Sequence, residues 1–283
     1  MIIGTRTATV LILLLLLTGC TVLPGNGFHK TDYQRCEDEL YGGNTTLALA
    51  LCDRAVNTSP TALAYSDRAV AKTDLGDYEG ALADINVALQ LNNTLPVAYG
   101  NRGVVKFRTG NYNGSMVDYE TAITLDSSDY RPYAHRAEEE DALNRTTDAL
   151  ADLDVALRLN PNFIPGYMYR CAINNKIDNY WGAIDDCTKA ITLDAGFAEA
   201  YEARAYAKAR LGRVQEALED MNRAVEAQPT RGRAYIKRAQ IEQILGQNDQ
   251  AKKDVDKARE LDPSLPDYQT LVNMRNAVVG NTS

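Results

Sequence analysis

Five cysteines and two histidines carry most of the metal-binding and nucleophilic chemistry available to this chain. No two cysteines form a Cys-x-x-Cys pair, and His29 and His135 lie far apart in the sequence. Zinc sites and Cys/His catalysis need such groups at close spacing. The sequence also contains no phosphate-binding loop, dinucleotide fingerprint, Gly-x-Ser-x-Gly elbow or His-Glu-x-x-His motif. We therefore predict a protein that is not an enzyme and has no cofactor or metal.

Arginine and aspartate recur together along the chain. Six arginines are each followed 16 residues later by an aspartate, as in Arg68 and Asp84 or Arg238 and Asp254. Such a column could form a ladder of phosphate-binding guanidinium groups, but ion pairs across helix hairpins are the simpler interpretation. A second charged feature, Glu138-Glu139-Glu140-Asp141, could supply paired carboxylates for acid–base chemistry. Neighbouring residues on a helix point in different directions, so this run is predicted to be a solvated face.

Composition limits the possible partners. The chain has 283 residues, is 45% hydrophobic and carries a formal net charge of -8. The apolar content predicts a folded chain. The acidic balance disfavours binding through charge neutralisation of nucleic acid, which requires Lys or Arg at each phosphate contact. Partners are therefore expected to be proteins or peptides.

A period of 34 residues runs through most of the sequence. In each period, a Tyr at position 4 precedes the Arg at position 7, and small residues occupy positions 8, 20 and 27. Position 15 is Gly, Asn or Asp, which tolerate the left-handed conformation that ends helices. The six units that share this register are 62-95, 96-129, 130-163, 164-197, 198-231 and 232-265.

This pattern resembles the tetratricopeptide repeat, with Tyr instead of the consensus Trp at position 4. The resemblance implies an all-α fold: a right-handed superhelical solenoid of about seven helix hairpins. Residues 29-61 look like a divergent first repeat, and residues 266-283 are expected to form a capping helix and tail. One hairpin cannot bury its apolar faces alone, which is why the units must stack. The single Trp, Trp181, is expected to pack within its hairpin.

Four cysteines occupy equivalent positions in two hairpins. Cys36 and Cys52 stand at positions 8 and 24 of the first unit, and Cys171 and Cys187 at positions 8 and 24 of a later one. In an antiparallel hairpin that turns near position 16, these positions lie level with each other. They could be merely small buried residues. Two pairs in the same register of an exported chain instead favour two disulfides.

The amino-terminal segment is typical of an export signal. Arg6 precedes a short apolar run that ends in Leu17-Thr18-Gly19-Cys20. This ending resembles the lipobox of bacterial lipoproteins, which implies a cleaved signal peptide at 1-19, acyl chains on Cys20 and a linker at 20-28. An ordinary secretory signal that ends near a Cys is the alternative. Thr21 is not Asp, which in the family's sorting rule implies the outer rather than the inner membrane, with the protein facing the periplasm.

The first helix of each repeat should present positions 2, 6, 9 and 13 away from its hairpin partner. In the resembled family this strip, together with position 5, lines a concave groove that holds peptides. The groove residues that we predict to contact a partner are Val104, Arg108, His135, Glu138, Tyr169, Tyr206, Arg210 and Lys237.

The functional hypothesis from the sequence is a lipid-anchored scaffold or adaptor of the bacterial cell envelope. It would bind protein or peptide segments in the groove and contact the membrane through its lipid. A component of secretion or outer-membrane assembly with one dedicated, pilotin-like partner is the alternative. The Lys/Asn pattern with which some family members hold a carboxyl terminus is missing, so that role is not carried over.

Overall fold

The computed structural model describes residues 30–273, and all regular secondary structure in this range is α-helical. The predicted all-α repeat array is therefore confirmed for this part of the chain. The proposed signal peptide, Cys20 and the end of the tail lie outside the described residues. Within residues 30–273, no helix is long and apolar enough to cross a membrane.

The described helices form seven antiparallel hairpins. They are α1 (Asp32–Tyr41) and α2 (Thr45–Thr58), α3 (Ala62–Asp74) and α4 (Tyr78–Leu91), α5 (Pro96–Arg108) and α6 (Tyr112–Leu125), α7 (Tyr130–Ala142) and α8 (Thr146–Leu159), α9 (Ile164–Lys176) and α10 (Tyr180–Leu193), α11 (Ala198–Arg210) and α12 (Val214–Ala227), α13 (Gly232–Ile244) and α14 (Asn248–Leu261).

The hairpins turn where the sequence supplies a residue that tolerates positive φ. Asn144 and Asp178 adopt φ values of 60° and 61°, and glycines occupy the corresponding place in the other repeats, as at Gly76 and Gly110. This confirms the expectation for position 15. Helix starts are capped in several hairpins; for example, the Asn179 side chain accepts a hydrogen bond from the Gly182 backbone N–H at the start of α10.

The interior of each hairpin is built from the small residues of the period. Ala69, Ala81 and Ala88 are fully buried in α3 and α4, and the equivalent residues of the later hairpins are buried in the same way. Small side chains allow the two helix backbones to approach closely. The strict register of these residues in the sequence therefore reflects helix packing.

The described residues divide into two compact units, which meet in the sequence between Leu91 and Asn92. The first contains α1 to α4. The second contains α5 to α14 and a further helical stretch at residues 268–273, where Leu271 is buried against the core of the last hairpins. The rest of the expected capping helix lies outside the described residues.

Both cysteine pairs face each other across their hairpins. Cys36 on α1 is joined to Cys52 on α2, with Cα atoms 5.1 Å apart, and Cys171 on α9 is joined to Cys187 on α10, with Cα atoms 5.9 Å apart. These separations lie within the usual range for a disulfide. Position 8 thus meets position 24 in space, as the hairpin geometry predicted.

Candidate functional site

The arginine column is part of the scaffold. Arg68 donates to both carboxylate oxygens of Asp84, with N···O distances of 2.8 and 2.5 Å, and its guanidinium carbon lies 5.3 Å from the ring centroid of Tyr65. The same Arg–Asp pair and Tyr contact recur in all six units. These side chains are committed to one another, which confirms the ion-pair interpretation over a phosphate ladder.

Position 11 varies where the Arg–Asp pair does not, and its significance was missed in the sequence. In the unit 96-129 it is Lys106, whose Nζ lies 2.7 Å from Asp118. In the unit 164-197 it is Asn174, which donates to Asp186. In the units 130-163 and 232-265 it is Glu140 and Glu242, both buried. The sequence contained a signal for this difference: position 11 is Lys, Asn or Glu, whereas position 23 is Asp in every unit.

The prediction that residues 138–141 form a solvated face is wrong for two of its members. Glu139 is fully buried and Glu140 is 7% exposed. One Glu139 oxygen accepts a hydrogen bond from the Ser115 hydroxyl at 2.8 Å, and burial raises the pKa of the Glu139 carboxyl. Burial and the nearby Asp152 raise the pKa of Glu140 to about 7. The charge run was misread because two of its residues face the neighbouring helices rather than solvent.

The first part of the predicted groove residues lies on α5, α7 and α9. The His135 ring stacks on Tyr119 with centroids 6.3 Å apart, and burial, aided by the Arg131 charge, lowers the pKa of His135 to about 4. The Tyr169 hydroxyl donates to the backbone carbonyl of Glu138 at 3.2 Å. His135 is therefore neutral at pH 7, and Tyr169 is held against α7.

Val104 and Arg108 complete this part of the strip on α5. Val104 is half-buried and Arg108 is exposed. These five predicted residues thus lie on three successive hairpins. His135 and Tyr169 contact neighbouring protein groups, whereas Arg108 is exposed.

The other three predicted groove residues meet in one cavity. Tyr206 and Arg210 on α11 and Lys237 on α13 line a pocket of about 540 Å³ between these helices, within the second compact unit. Its apolar surface comes from α11, the adjacent α12 and α13, through Ala203, Ala205, Ala209, Met221, Ile241 and Ile244. Apolar walls with a few charged groups at the edge are typical of a binding cavity.

One end of the pocket carries a closed ionic network. The carboxylate of Glu202, which is buried, lies 2.5 Å from Lys237 Nζ and 3.3 Å from Arg231 Nε. Arg231 also bonds to Glu199. Glu202, Arg231, Met221 and Ile241 were not among the predicted contact residues. Arg231 stands in the inter-repeat linker, and Met221 and Ile241 fall outside the predicted strip. Glu202 stands at position 5, which lines the groove in the resembled family, and that position was the signal that could have identified it.

The opposite end carries Arg210, which contacts two neighbouring aromatic rings. Its guanidinium carbon lies 5.0 Å from the Tyr180 ring centroid and 5.8 Å from that of Tyr206, and it donates to the Tyr206 hydroxyl at 2.8 Å. Asp178 lies 3.8 Å from the guanidinium and also accepts from the Tyr180 hydroxyl. Arg210 is half exposed and positioned by stacking rather than by a close carboxylate.

Trp181 departs from its expected packing role. Its side chain is 60% exposed, and the Arg213 guanidinium lies 5.3 Å from its ring centroid. The Arg213 side chain, from the turn between α11 and α12, covers one face of the ring without burying it. The ring that packs in this hairpin is its neighbour, Tyr180, which is 9% exposed.

Comparison with protein families identifies the repeat. The Tetratricopeptide repeat model matches residues 96–129, 198–231 and 232–265. These three segments are tetratricopeptide repeats. Comparison of the sequence with curated proteins gives no match.

Solved structures with tetratricopeptide-like folds resemble the chain at low sequence identity. A crystal structure of MamA is 23% identical with a TM-score of 0.55, covering 59% of this chain and 92% of that one. YrrB, described as a TPR protein with an unusual peptide-binding site, is 18% identical with a TM-score of 0.56, covering 68% and 97%. Pseudomonas aeruginosa pilF is 16% identical with a TM-score of 0.64, covering 77% and 96%. The likeness is one of fold.

Within residues 30–273, no group of three or more His, Cys, Asp or Glu side chains is arranged to hold a metal ion. The pocket between α11 and α13 offers apolar walls, the Tyr206 ring and charged groups at its rim.

Proposed function

We propose that the protein is a lipid-anchored scaffold of the bacterial cell envelope that holds a protein or peptide segment in the pocket between α11 and α13. Repeats of this kind serve generally as non-catalytic scaffolds for protein–protein interaction. The observation that carries the proposal is the convergence of Tyr206, Arg210 and Lys237 on one apolar pocket. An aromatic residue and Arg beside an apolar cavity are the side chains most often dominant in protein recognition.

Photo-crosslinking in intact cells tests the binding function. A photoreactive phenylalanine analogue at Ile244, which lines the pocket and is 55% exposed, should capture protein partners. The matched control is the same analogue at Val117 on α6, which is 59% exposed and is not among the pocket residues. Adducts specific to Ile244 support the proposal, whereas adducts from both positions or from neither contradict it. Several partners favour an adaptor, and one abundant partner favours the dedicated, pilotin-like role.

The lipid anchor rests on the sequence around Cys20. Replacing Cys20 by Ser should abolish incorporation of a labelled palmitate analogue. Several acyl chains bind a bilayer firmly, whereas one chain alone binds weakly. Retention of label in the variant would contradict lipidation at this residue. Separation of inner and outer membranes then tests the proposed outer-membrane location.

Export to an oxidising compartment is supported by the two cross-hairpin cysteine pairs. Disulfides persist in the periplasm and are rare in the cytosol. Alkylation of the denatured protein from intact cells, with and without prior reduction, should show four additional modified thiols only after reduction, from the four cysteines of the two pairs. Full alkylation without reduction would contradict a periplasmic location.

A further inference from the structure

We infer that the segment bound between α11 and α13 is an internal acidic segment, with an aliphatic side chain in the pocket and an Asp or Glu side chain on Arg210. This inference rests on the proposed binding function and adds the chemistry of the partner. Two observations lead to it: the walls of the pocket are apolar, and of its three cations only Arg210 lacks a close carboxylate partner.

The apolar requirement comes from the walls of the cavity. Met221 and Ile241 are nearly buried at its base, while Ile244 is 55% exposed at its edge. The alanines of α11 that face the cavity leave it wide enough, at about 540 Å³, for a branched aliphatic side chain. Covering this surface removes apolar area from water and so favours binding. A polar side chain would lose its water without gaining partners there.

The charge requirement comes from comparing the three cations that line the pocket. Lys237 and Arg231 share the buried carboxylate of Glu202, and Arg231 is bonded to Glu199 as well. At this end of the pocket the charges of Lys237 and Arg231 are thus already paired with the carboxylates of Glu202 and Glu199. Arg210 differs, since it donates a hydrogen bond to the Tyr206 hydroxyl, and the carboxylate of Asp178 is 3.8 Å away and highly exposed.

Arg210 is also positioned in advance of binding. Its guanidinium carbon lies 5.0 Å from the Tyr180 ring centroid and 5.8 Å from that of Tyr206, and the two rings meet edge to face with centroids 6.4 Å apart. A planar guanidinium presents paired N–H groups that match a carboxylate in a bidentate arrangement. Because the side chain is already ordered, less rotamer entropy is lost when an acidic group binds.

An internal segment fits the surface better than a chain end does. Tyr206 on α11 and Gln240 and Ile244 on α13 line the cavity and are exposed, so a bound chain can run across both helices. A terminal carboxylate is held by several convergent donors, and here the other two cations are committed to Glu202. One acidic side chain is what a single available guanidinium can satisfy.

An array of synthetic peptides tests this chemistry with the full-length protein, purified in a mild detergent. Each peptide is a Gly/Ser chain with an amidated end and one Leu, and carries Glu, Gln or Lys within one helical turn of it. Further spots carry Glu without Leu, or Leu with a free carboxyl terminus and no Glu. We expect Leu-plus-Glu peptides to bind at least about tenfold more strongly than Leu-plus-Gln peptides, the scale of one charge-assisted hydrogen bond.

Two variants assign the preference to Arg210. Arg210→Gln should remove the difference between Glu and Gln peptides and retain the dependence on Leu. Arg213→Gln is the matched control, since Arg213 carries the same charge in the same hairpin but contacts Trp181 and Glu216 instead of lining the pocket. It should leave the preference unchanged. Circular dichroism of both variants establishes that they remain helical.

Each other result overturns the inference. A preference for Lys, equal binding of Glu and Gln peptides, binding that needs a free carboxyl terminus, or loss of the Glu preference in Arg213→Gln would contradict the assigned chemistry. Absence of binding to every peptide would do so as well. Failure of the proposed function is distinguished by the crosslinking from Ile244: partners captured there, together with a negative array, leave the binding function intact and reject only the acidic aliphatic segment.

Discussion

The repeats 96–129 and 130–163 are neighbours in the same compact unit and share the period, yet their interiors are chemically opposed. In the first, Asp118 is paired with two cations, Arg102 and Lys106. In the second, Asp152 is paired with Arg136 while the carboxyl of Glu140 is buried nearby. In this chain the repeat therefore keeps the Arg–Asp pair and the small residues constant, while the residue at position 11 changes from Lys to Glu.

The largest expected effect contrasts the two aspartates. Asp118→Asn leaves Arg102 and Lys106 partly buried without their carboxylate and should lower the free energy of unfolding by roughly 3 kcal/mol. Asp152→Asn should cost clearly less, because Glu140 loses a like-charged neighbour and becomes a partner for Arg136. Urea denaturation followed by circular dichroism measures both. Equal losses would show that position 11 does not influence the cluster.

The second contrast is between two glycines of α5, in the hairpin of residues 96–129. Tyr119 is fully buried beside Gly103, and a Cβ at Gly103 would stand 2.5 Å from the ring. Gly103→Ala should therefore destabilise the protein by about 2 kcal/mol, as overpacking of a core does. The control is Gly100→Ala on the same helix, where the nearest atom is 3.9 Å away. It should stabilise by up to about 1 kcal/mol through helix propensity, and thermal unfolding separates the two.

The third contrast is pH dependence. The pKa of Glu140 is about 7 in the folded protein, above the usual value near 4.5, because of burial and the nearby Asp152. At this carboxyl the folded state then holds more protons than the unfolded state between these values, so Glu140 should make stability fall as pH rises from about 5 to 7.5. The lowered pKa of His135 acts in the opposite direction up to about pH 6.5. Glu140→Gln should reduce this fall by about 1 kcal/mol.

Glu242 occupies the same position in the last repeat, and burial and Asp254 raise its pKa to about 7 as well. Glu242→Gln should therefore reproduce the effect, and the two changes should add, since the charged groups that shift the pKa of Glu140 and of Glu242 are different. Urea midpoints at pH 5 and pH 8, measured for the wild type and for both variants, provide the test. An equal change in stability between the two pH values in all three proteins would contradict the raised pKa of these carboxyls.

The smallest effect concerns Glu139. Position 10 is apolar in the other five units of this register, and Glu139 retains one buried oxygen without a hydrogen-bond partner. Glu139→Ile should raise stability by about 1 kcal/mol, whereas Ser115→Ala should lower it by a similar amount because it removes the partner of the other oxygen. Calorimetry of the two variants and of the double variant tests the coupling; in the double variant the serine change should cost little.

The sequence predicted the features that depend on strict periodicity. Helix hairpins, the turns at position 15, the facing of Cys171 and Cys187, and the Arg–Asp pairs all follow from the register, because backbone geometry repeats with it. The pocket was predicted only in part. Tyr206 and Lys237 were found from helix periodicity, but the role of Glu202 depends on which cation reaches it, and long side chains of neighbouring hairpins decide that.

Burial of individual charges was the property least accessible from the sequence. Glu139 and Glu140 stand in a run of four acidic residues, which is typical of a solvated face, but both are buried. Position 10, where Glu139 stands, is apolar in the other five units, so the register itself indicates an inward position for Glu139. Trp181 is the opposite case, since an aromatic pair in one helix places only one ring inward. For Glu140 and Trp181, burial depends on which neighbouring helix covers the side chain, and repeat spacing alone leaves that open.

The exposed Trp181 gives the protein a built-in optical reporter. It is the only tryptophan of the chain, so all indole emission arises from one ring at the edge of the α9/α10 hairpin. That ring is adjacent in sequence to Tyr180, which stacks on Arg210, and is itself covered by Arg213 from the next hairpin. Occupation of the pocket or relative movement of these two hairpins should therefore alter the emission wavelength and quenching of an unlabelled sample.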